Sequence, residues 1–479
     1  MLPRPKVAMW PDHLVSLRIN RRLDYRPHTR AELREEVRGL LVQLGGGNAN
    51  PLMGVVKPGD LVLLKPNLVL DRVSDPLAAL TNSAVVEVVC DFALEALGTR
   101  GRVVIADVPL QSAQFEAVVA LTGLDQVMER YARSGAPVQL LDLRQEYLHI
   151  VRGMHRGLHP LAGDPLGYTV VNLGAASELE PLAAYRSRFA VGDYDRESTR
   201  RYHMSSSQNE YLIPNTILAA DVLINLPKLK THKKTGITCA LKNLVGTCGH
   251  KSYLPHYREG IPRNGGDEFA VDHTIKALQR DTVDRLKSSH AAVYKTVRAI
   301  GRMVLRLALL GEPRDLSKVL AGSWYGNDTL WRTILDLNKI ARYADKAGRM
   351  RPEPQRRYAC IVDGILSGEG DGPLQPNLRH DGILMAGTNP VLIDLVACLL
   401  VGLDPAAVRQ VTRAFDISHY PLVRGSYASW LSQLGANVRS NVWPLPNLHY
   451  RLPPAWEGYV PRLGEIRFGN APGELQASE

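Results

Sequence analysis

Short apolar runs alternate with amphipathic stretches along most of this chain, which is the pattern of an α/β protein. Runs typical of buried strands lie at residues 61–64, 103–106, 138–141, 222–226, 358–362 and 382–386. Residues 83–97 and 391–401 have the periodicity and the flanking capping residues of helices, and residues 115–134 also predict a helix. Strands that alternate with helices predict a mostly parallel sheet flanked by helices.

The pattern also divides the chain into segments. An N-terminal segment, 1–50, ends in a turn rich in glycine, asparagine and proline, and residues 51–260 form the first part of an α/β core. Residues 261–350 hold few strand formers and predict a large helical insertion, after which 351–440 return to the core. Residues 441–479 are rich in proline and lack a clear period, so they predict a surface tail.

Composition narrows the range of partners. Of 479 residues, 58 are Lys or Arg and 48 are Asp or Glu, which gives a formal net charge of +10 and favours anionic ligands. Only 6% are aromatic and no RNP-like, zinc-finger or heptad pattern occurs, which argues against nucleic acid. No apolar run reaches ~18 residues and no secretory signal opens the chain, so we expect a cytoplasmic protein.

The cysteines indicate a cellular compartment and argue against an iron–sulfur cofactor. Five are scattered along the chain, none in a C-x-x-C pair: Cys90, Cys239, Cys248, Cys360 and Cys398. An odd, dispersed set argues against a disulfide framework and for a reducing compartment. It also argues against a cysteine-ligated iron–sulfur cluster, which requires four closely spaced thiolates.

A dense basic segment directly follows the predicted strand 222–226, which we expect Pro227 to end. Within it, residues 235–238 predict a loop that enters a helix. Between residues 228 and 251 it holds Lys228, Lys230, Lys233, Lys234, Lys242, Lys251, His232 and His250. In open α/β sheets ligands bind at the carboxyl ends of the strands, and a loop that enters a helix offers N–H groups to an anion. We therefore expect Lys228, Lys230 and Lys242 to hold an anion. The alternative is a solvated basic face, the commoner meaning of a lysine run.

The two histidines of this segment have several readings. His232 and His250 suit general acid/base work, because neighbouring lysines lower a histidine pKa by like-charge repulsion. Metal ligation is an alternative, although their spacing matches no zinc pattern. The third reading is that both are polar loop residues.

Acidic and polar residues follow other predicted strands. Asp363 ends one strand, and Glu369 and Asp371 lie in a glycine-rich acidic loop; these three suit a divalent cation or a carboxylate base, and a plain acidic turn is the alternative. Lys65 and Asn67 follow another strand as a cationic arm and an orienting hydrogen bonder. If their strands share one sheet edge, Lys65, Asp107, Lys228 and Asp363 converge there.

Residues 293–310 predict a basic amphipathic helix. Lys295, Arg298, Arg302 and Arg306 recur on one face, with apolar residues over much of the rest. Peripheral contact with a membrane surface is one reading. A helix docked on the core with a solvated basic stripe is the other.

Together these motifs resemble domain-of-unknown-function family 362. The resemblance rests on Lys65–Asn67, Asn225–His232, Ala240–Gly246, Asp363–Gly364, Glu369–Pro373, Asp394 and Gly402–Pro405. Some members carry an added ferredoxin-like cysteine cluster, which this sequence lacks, so the resemblance implies no iron–sulfur cluster here. Members with a stretch like 249–268 are similar to proteins of bacterial surface-polysaccharide gene clusters, which suggests polysaccharide biosynthesis.

We therefore expect an enzyme that acts on a small anionic substrate. The substrate would be phosphorylated or carboxylated, and a sugar derivative is one such compound. His232 would be the acid/base, with Asp363 or Glu369 opposite it or binding a divalent cation. Substrate would be held by Lys65, Asn67, Lys228, Lys230, Lys242, Asn243 and His250. The alternative is a non-catalytic accessory protein that binds an anion or glycan precursor at the membrane surface. No pattern indicates an oligomeric state.

Overall fold

A computed structural model describes residues 10–151, 154–192, 194, 196–272, 316, 318–463, 467–468 and 475–476. Its strands are β1 (Val15–Ile19), β2 (Leu61–Pro66), β3 (Arg102–Asp107), β4 (Val138–Asp142), β5 (Glu146–Val151), β6 (Met154–Pro160), β7 (Tyr168–Asn172), β8 (Phe189–Ala190), β9 (Glu210–Pro214), β10 (Val222–Leu226), β11 (Lys228–His232), β12 (Gly236–Thr238), β13 (Tyr257–Arg258), β14 (Arg357–Asp371), β15 (Gln375–Gly387), β16 (Val438–Ser440), β17 (Arg467–Phe468) and β18 (Leu475–Gln476).

The helices frame this set of strands. They are α1 (Arg30–Val42), α2 (Pro76–Ala79), α3 (Ser83–Leu97), α4 (Phe115–Thr122), α5 (Leu124–Ser134), α6 (Arg196–Arg200), α7 (Asn215–Ala219), α8 (Ala240–Asn243), α9 (Leu330–Tyr343), α10 (Pro390–Val401), α11 (Arg409–Thr412), α12 (Tyr427–Ser432) and α13 (Leu434–Asn437).

One large sheet organises the described residues. Its strands run in the order β16-β1-β15-β14-β10-β2-β3-β4, with β11 and β12 attached beside β14. The central strands β14, β10, β2, β3 and β4 are parallel, and β15 and β1 add antiparallel pairs. The predicted α/β fold with a mostly parallel sheet is confirmed.

Helices cover both faces because successive strand residues point to opposite sides. Val62 and Leu64 of β2 pack in a core with α1 and α3, whereas Leu63 packs in a second core with α9 and α10. Strands buried on both faces have continuous apolar sequences, which is why the short apolar runs located them. The result is three layers, helix on sheet on helix.

The basic segment continues the sheet instead of leaving it. The prediction that Pro227 ends the strand is correct for β10, but the chain resumes pairing at once as β11. Lys228 lies opposite Asp363 of β14, and Gly236 with a φ of +79° turns the chain into β12. The expected loop at 235–238 is therefore mostly a strand, and the lysines are fixed by a sheet ladder.

Two other local predictions were wrong. The expected acidic loop at 368–373 is largely the end of β14, because its residues pair with β15 as far as Asp371. The helix expected over 115–134 is two helices, since Gly123 adopts a φ of +78° between α4 and α5. The helix ends at Asn82, Asn389 and Gly402 agree with the sequence, and both asparagine side chains accept a backbone N–H there.

The outer segments are described in part. Residues 273–315 lie outside the described residues. They make up about half of the expected helical insertion and contain all of the expected basic helix with Lys295, Arg298, Arg302 and Arg306. Helix α9, near the end of the expected insertion, packs in the core. Tyr450 and Trp456, in the expected surface tail, are buried, because the chain there packs back on the sheet. The division into domains stays a prediction.

Candidate functional site

A cavity of about 110 Å³ lies at the carboxyl edge of the parallel strands. It is bounded by the segments that follow β2 and β3, by β11 and β12, and by α8 with the chain that follows it. A cavity needs roughly 10–15 Å³ of this space to hold one water, so a small molecule fits. This is the sheet edge where open α/β proteins bind ligands.

Six of the predicted site residues line this cavity: Lys65, Asn67, Lys230, His232, Lys242 and Asn243. Seven further polar residues join them: Asp107, Gln111, Ser112, Tyr194, Thr238, Lys251 and His256. Lys228, His250, Asp363, Glu369 and Asp371 are not among its lining residues. The structure thus brings part of the predicted residues together in one cavity and adds residues that were not predicted.

A buried ion pair forms the floor of the cavity. Lys65 Nζ lies 2.7 Å from Asp107 Oδ1, and both side chains are almost fully buried. Asp107 also accepts the backbone N–H groups of Leu68 and Val108, both at 2.8 Å. Asn243 donates to the Lys65 carbonyl oxygen at 3.1 Å. A buried pair whose remaining hydrogen-bonding groups are satisfied is a rigid support.

Gly246 allows this floor to form. A Cβ at this position would lie 2.1 Å from Asp107 Oδ1 and 2.7 Å from Lys65 Nζ. Its carbonyl oxygen also accepts the backbone N–H of Val108 at 3.1 Å. The presence of glycine at the end of the Ala240–Gly246 motif therefore has a steric explanation, because the backbone passes directly over the ion pair.

The other cavity lysines differ in how they are held. Lys230 donates to the Ala79 carbonyl oxygen, and Lys251 Nζ donates to the Val108 carbonyl oxygen at 3.0 Å. Among the residues that the structure describes, Lys242 has no hydrogen-bond or ion-pair partner. Burial and the neighbouring amino groups of Lys242 and Lys228 lower the pKa of Lys230 well below its usual value. Burial and neighbouring ammonium groups lower the pKa of Lys242 to about 7, and burial lowers that of Lys251 to about 8.

Two histidines face the cavity in different tautomers. His232 Nδ1 accepts the backbone N–H of Lys234 at 3.1 Å, which places the ring proton on Nε2. His256 Nδ1 lies 2.7 Å from the Leu254 carbonyl oxygen and so carries the proton, which leaves Nε2 with a lone pair. Burial and the surrounding lysines lower both pKa values well below the usual one, so both rings are neutral. One histidine offers a donor and the other an acceptor.

Two buried side chains in the cavity wall lack partners. Gln111 is 3% exposed, and neither its Oε1 nor its Nε2 has a hydrogen-bond partner among the described residues. Thr238 Oγ1, in an equally buried residue, is also unpartnered. An unsatisfied buried polar group costs roughly 1–3 kcal/mol, so these atoms are available to hydrogen-bond a water or a ligand in the cavity.

Lys228 and Asp363 form a separate structural cluster. Lys228 Nζ lies 2.9 Å from Asp363 Oδ2 and 2.9 Å from the Tyr25 hydroxyl, with both charged side chains fully buried. The Tyr25 hydroxyl and the Asn82 backbone N–H donate to the same carboxylate. This pair joins β11 to β14 and the start of α3. The expectation that Lys228 and Asp363 face the ligand does not fit this arrangement.

The remaining predicted residues also have protein partners. Glu369 lies 3.0 Å from Arg379 and 2.8 Å from Arg451, and Asp371 lies 3.8 Å from Lys233. His250 Nε2 lies 2.9 Å from Glu146, at the start of β5. No group of three potential metal ligands converges within the described part of the chain. Asp363, Glu369 and Asp371 are thus not brought together as a cation site.

Sequence reasoning missed several cavity residues for different reasons. Lys251 and His256 lie in the 249–268 stretch, which contributes to the family resemblance, but the sequence alone does not show that these two residues face a cavity. Asp107 was expected at the strand end without a role. Gln111 and Thr238 carry no sequence signal, because only the folded chain shows that their polar atoms lack partners.

The fold and cavity define an α/β protein with a basic ligand cavity at its sheet edge. A family profile described as a domain of unknown function (DUF362) matches residues 62–158 and 149–399. The chain therefore belongs to this family, as the motifs suggested.

Individual relatives are distant. A thylakoid-associated protein of Synechocystis sp. (strain ATCC 27184 / PCC 6803 / Kazusa) is 24% identical over 204 residues, and the match covers 43% of this chain and 40% of that protein. A solved structure of a Thermotoga maritima protein is similar with 12% identity and a TM-score of 0.34, over 77% of this chain and 58% of that one. We therefore infer nothing about this chain from that structural similarity. None of the described helices is long and apolar enough to cross a membrane.

Proposed function

We propose that this chain is an enzyme acting on a small hydroxylated anion bound in the basic cavity. The observation that carries the proposal is the combination, among the residues that line one cavity, of the unpartnered Lys242 amino group with the unpartnered polar atoms of Gln111 and Thr238. Lysines bind phosphate or carboxylate, and an amide that can donate and accept suits a hydroxyl group. A phosphorylated or carboxylated sugar derivative has both features.

The cavity residues divide into binding and proton-transfer roles. Lys230, Lys242 and Lys251 attract the anionic group, and the His232 Nε2–H donates a hydrogen bond to it. A neutral histidine whose free nitrogen carries the proton is a poor base, so His232 orients and does not abstract. His256 presents a lone pair to the same cavity and takes the base role. The earlier assignment of catalysis to His232, Asp363 and Glu369 is thereby replaced.

Calorimetry tests the binding step. We expect glycerol 3-phosphate to bind more tightly than sulfate, and glycerol not to bind. Lys242→Met should weaken glycerol 3-phosphate binding roughly tenfold or more, since hydrogen bonds to charged groups contribute roughly 1.5–3 kcal/mol. Lys346→Met is the matched control, because Lys346 is exposed and does not line the cavity. Equal affinity in Lys242→Met and wild type would contradict the proposal.

A second measurement separates enzyme from binding protein. Wild type is incubated with a panel of sugar phosphates and hydroxy acids in D₂O, and proton exchange or conversion is followed by NMR. His256→Gln should keep sulfate binding and lose conversion. If wild type binds these anions yet neither exchanges nor converts any of them, the accessory binding role is the better description.

One observation favours that second candidate. The Synechocystis relative is called thylakoid-associated, and the chain has an excess of basic residues. We propose as the alternative a non-catalytic protein that holds an anion or glycan precursor at a membrane surface, from the cytoplasmic side. Flotation with vesicles containing anionic lipid tests this: wild type should float at low salt, and no flotation removes the membrane component.

A further inference from the structure

The cavity contains one lysine that is chemically unlike the rest. Lys65, Lys230 and Lys251 each donate to a fixed acceptor: the Asp107 carboxylate and the carbonyl oxygens of Ala79 and Val108. An amino group tied to an acceptor is held in one place and has a hydrogen atom committed to that bond. Lys242 has no such acceptor among the described residues, so no hydrogen bond or ion pair in this part of the protein fixes its charged form.

The surroundings of Lys242 favour its neutral amine. The ionisable groups around it are Lys230, Lys251, Lys234 and Lys65, the neutral rings of His232 and His256, and the carboxylate of Asp107, which is already paired with Lys65. Like charges disfavour the ammonium, and partial burial withdraws the water that would otherwise solvate it. A lysine desolvated next to other cationic groups is a nucleophile near neutral pH.

We propose that Lys242 is a nucleophile that condenses with the carbonyl carbon of a small anionic aldehyde or ketone to form a Schiff base. This inference rests on the proposed function and narrows its substrate class to compounds that carry a carbonyl beside a carboxylate or phosphate. The amino groups of Lys230 and Lys251, each fixed by its hydrogen bond, hold the anionic group, while the free amine of Lys242 reaches the carbonyl.

The condensation needs no outside oxidant or reductant. The Lys242 nitrogen lone pair forms a bond to the carbonyl carbon, and the C=O π electrons move to oxygen. His256 Nε2 accepts one proton from nitrogen and delivers it to the oxygen, which becomes a hydroxyl held by a hydrogen bond from His232 Nε2–H. His256 then accepts the second N–H proton and delivers it to this hydroxyl, which leaves as water while the nitrogen lone pair forms the C=N bond of an imine. Amine plus carbonyl therefore gives imine plus water.

Reductive trapping with glyoxylate is the test. Glyoxylate joins an aldehyde to a carboxylate in the smallest available frame, and sodium cyanoborohydride converts its imine into a stable carboxymethyl amine. Peptide mapping by mass spectrometry should place this group on Lys242 on the order of tenfold faster than on Lys346, whose side chain is 64% exposed. The rate on Lys242 should level off above about pH 7. Excess sulfate should slow it.

Variants separate this inference from the proposed function. Lys242→Arg keeps a cation but cannot form an imine, so it should bind sulfate within about threefold of wild type and lose the label from this site. Lys346→Arg should leave labelling of Lys242 unchanged. Sulfate binding without preferential labelling of Lys242 overturns the inference alone. If wild type binds neither sulfate nor glyoxylate in the cavity, the proposed function falls with it.

Discussion

Lys242 illustrates a conflict between binding and stability at the scale of one residue. A side chain placed among Lys230, Lys251 and Lys65 without an acceptor repels its neighbours whenever no anion is present. Such an arrangement stores an unfavourable interaction that a ligand relieves, and sites of this kind are commonly stabilised by removing the functional group.

The first prediction concerns Lys242→Met. We expect the free protein to gain about 1 kcal/mol in free energy of unfolding at pH 6–7, because the substitution removes like-charge repulsion and keeps the aliphatic stem. Denaturant titration in a buffer without sulfate or phosphate measures it. The gain should vanish when saturating sulfate is added to wild type. Destabilisation by Lys242→Met would show that this lysine has a structural role.

At the scale of elements, β11 carries two lysines with different tasks. Lys228 joins the strand to β14 through Asp363, whereas Lys230 lines the cavity. The register between β11 and β14 shifts between these two residues, so they are not equivalent positions of one regular ladder. The sequence shows only two lysines two residues apart.

The second prediction tests that division. Asp363→Ala leaves Lys228 buried without its counter-ion, so we expect the free energy of unfolding to fall by about 3–5 kcal/mol. The double variant Lys228→Met with Asp363→Leu should lose less, because it buries no unpaired charge. Sulfate affinity of the folded double variant should match wild type, since neither residue lines the cavity. A selective loss of affinity there would return Lys228 to the site.

The third prediction concerns the segment that follows α8. Gly246→Ala would place a Cβ against Asp107 and Lys65, so we expect a loss of about 1–3 kcal/mol in stability together with weaker sulfate binding. Gly192 is the matched control, because it lies on the same cavity and a Cβ there meets nothing within 4 Å. Thermal unfolding and calorimetry should show Gly192→Ala close to wild type. Equal behaviour of the two variants would refute the steric argument.

Elements buried on both faces could be predicted from sequence, and the site only in part. The apolar runs of β2, β3 and β10 and the capped helices α3 and α10 follow directly from local pattern. Lysine, histidine and carboxylate positions were also visible, but their partners depend on contacts far apart in the chain, such as Lys228 with Asp363. That is why Asp363 and Glu369 looked functional and Gln111 did not.

At the scale of the whole molecule, sheet order converts separate strand ends into one basic chamber. The strands β2, β3 and β10 are parallel neighbours, and β11 extends beyond β10 on the same edge. Segments that are far apart in sequence therefore place four lysines in one cavity with one carboxylate, that of Asp107, among its lining residues. Protonation of the lysines in this cavity therefore affects both the affinity for an anion and the stability of the folded protein.

The last prediction follows from that linkage. Lys242 and Lys251 have pKa values of about 7 and about 8 in the folded protein, below their value of roughly 10.4 in an unfolded chain. Between these values the unfolded state binds more protons, so this contribution makes the free protein more stable as pH rises from 7 towards 10. A bound anion favours the ammonium forms, so stabilisation by sulfate should be largest below pH 7 and decline through pH 8–9.

Sulfate is the appropriate probe because its own charge does not change over this range. Melting temperatures with and without sulfate, from pH 6 to pH 9, give the stabilisation at each pH. In Lys242→Met the decline between pH 7 and 8 should be much reduced, while Lys346→Met should follow wild type. A stabilisation by sulfate that is independent of pH in wild type would mean that the cavity lysines do not titrate with the ligand. The anion would then be bound elsewhere on this basic protein.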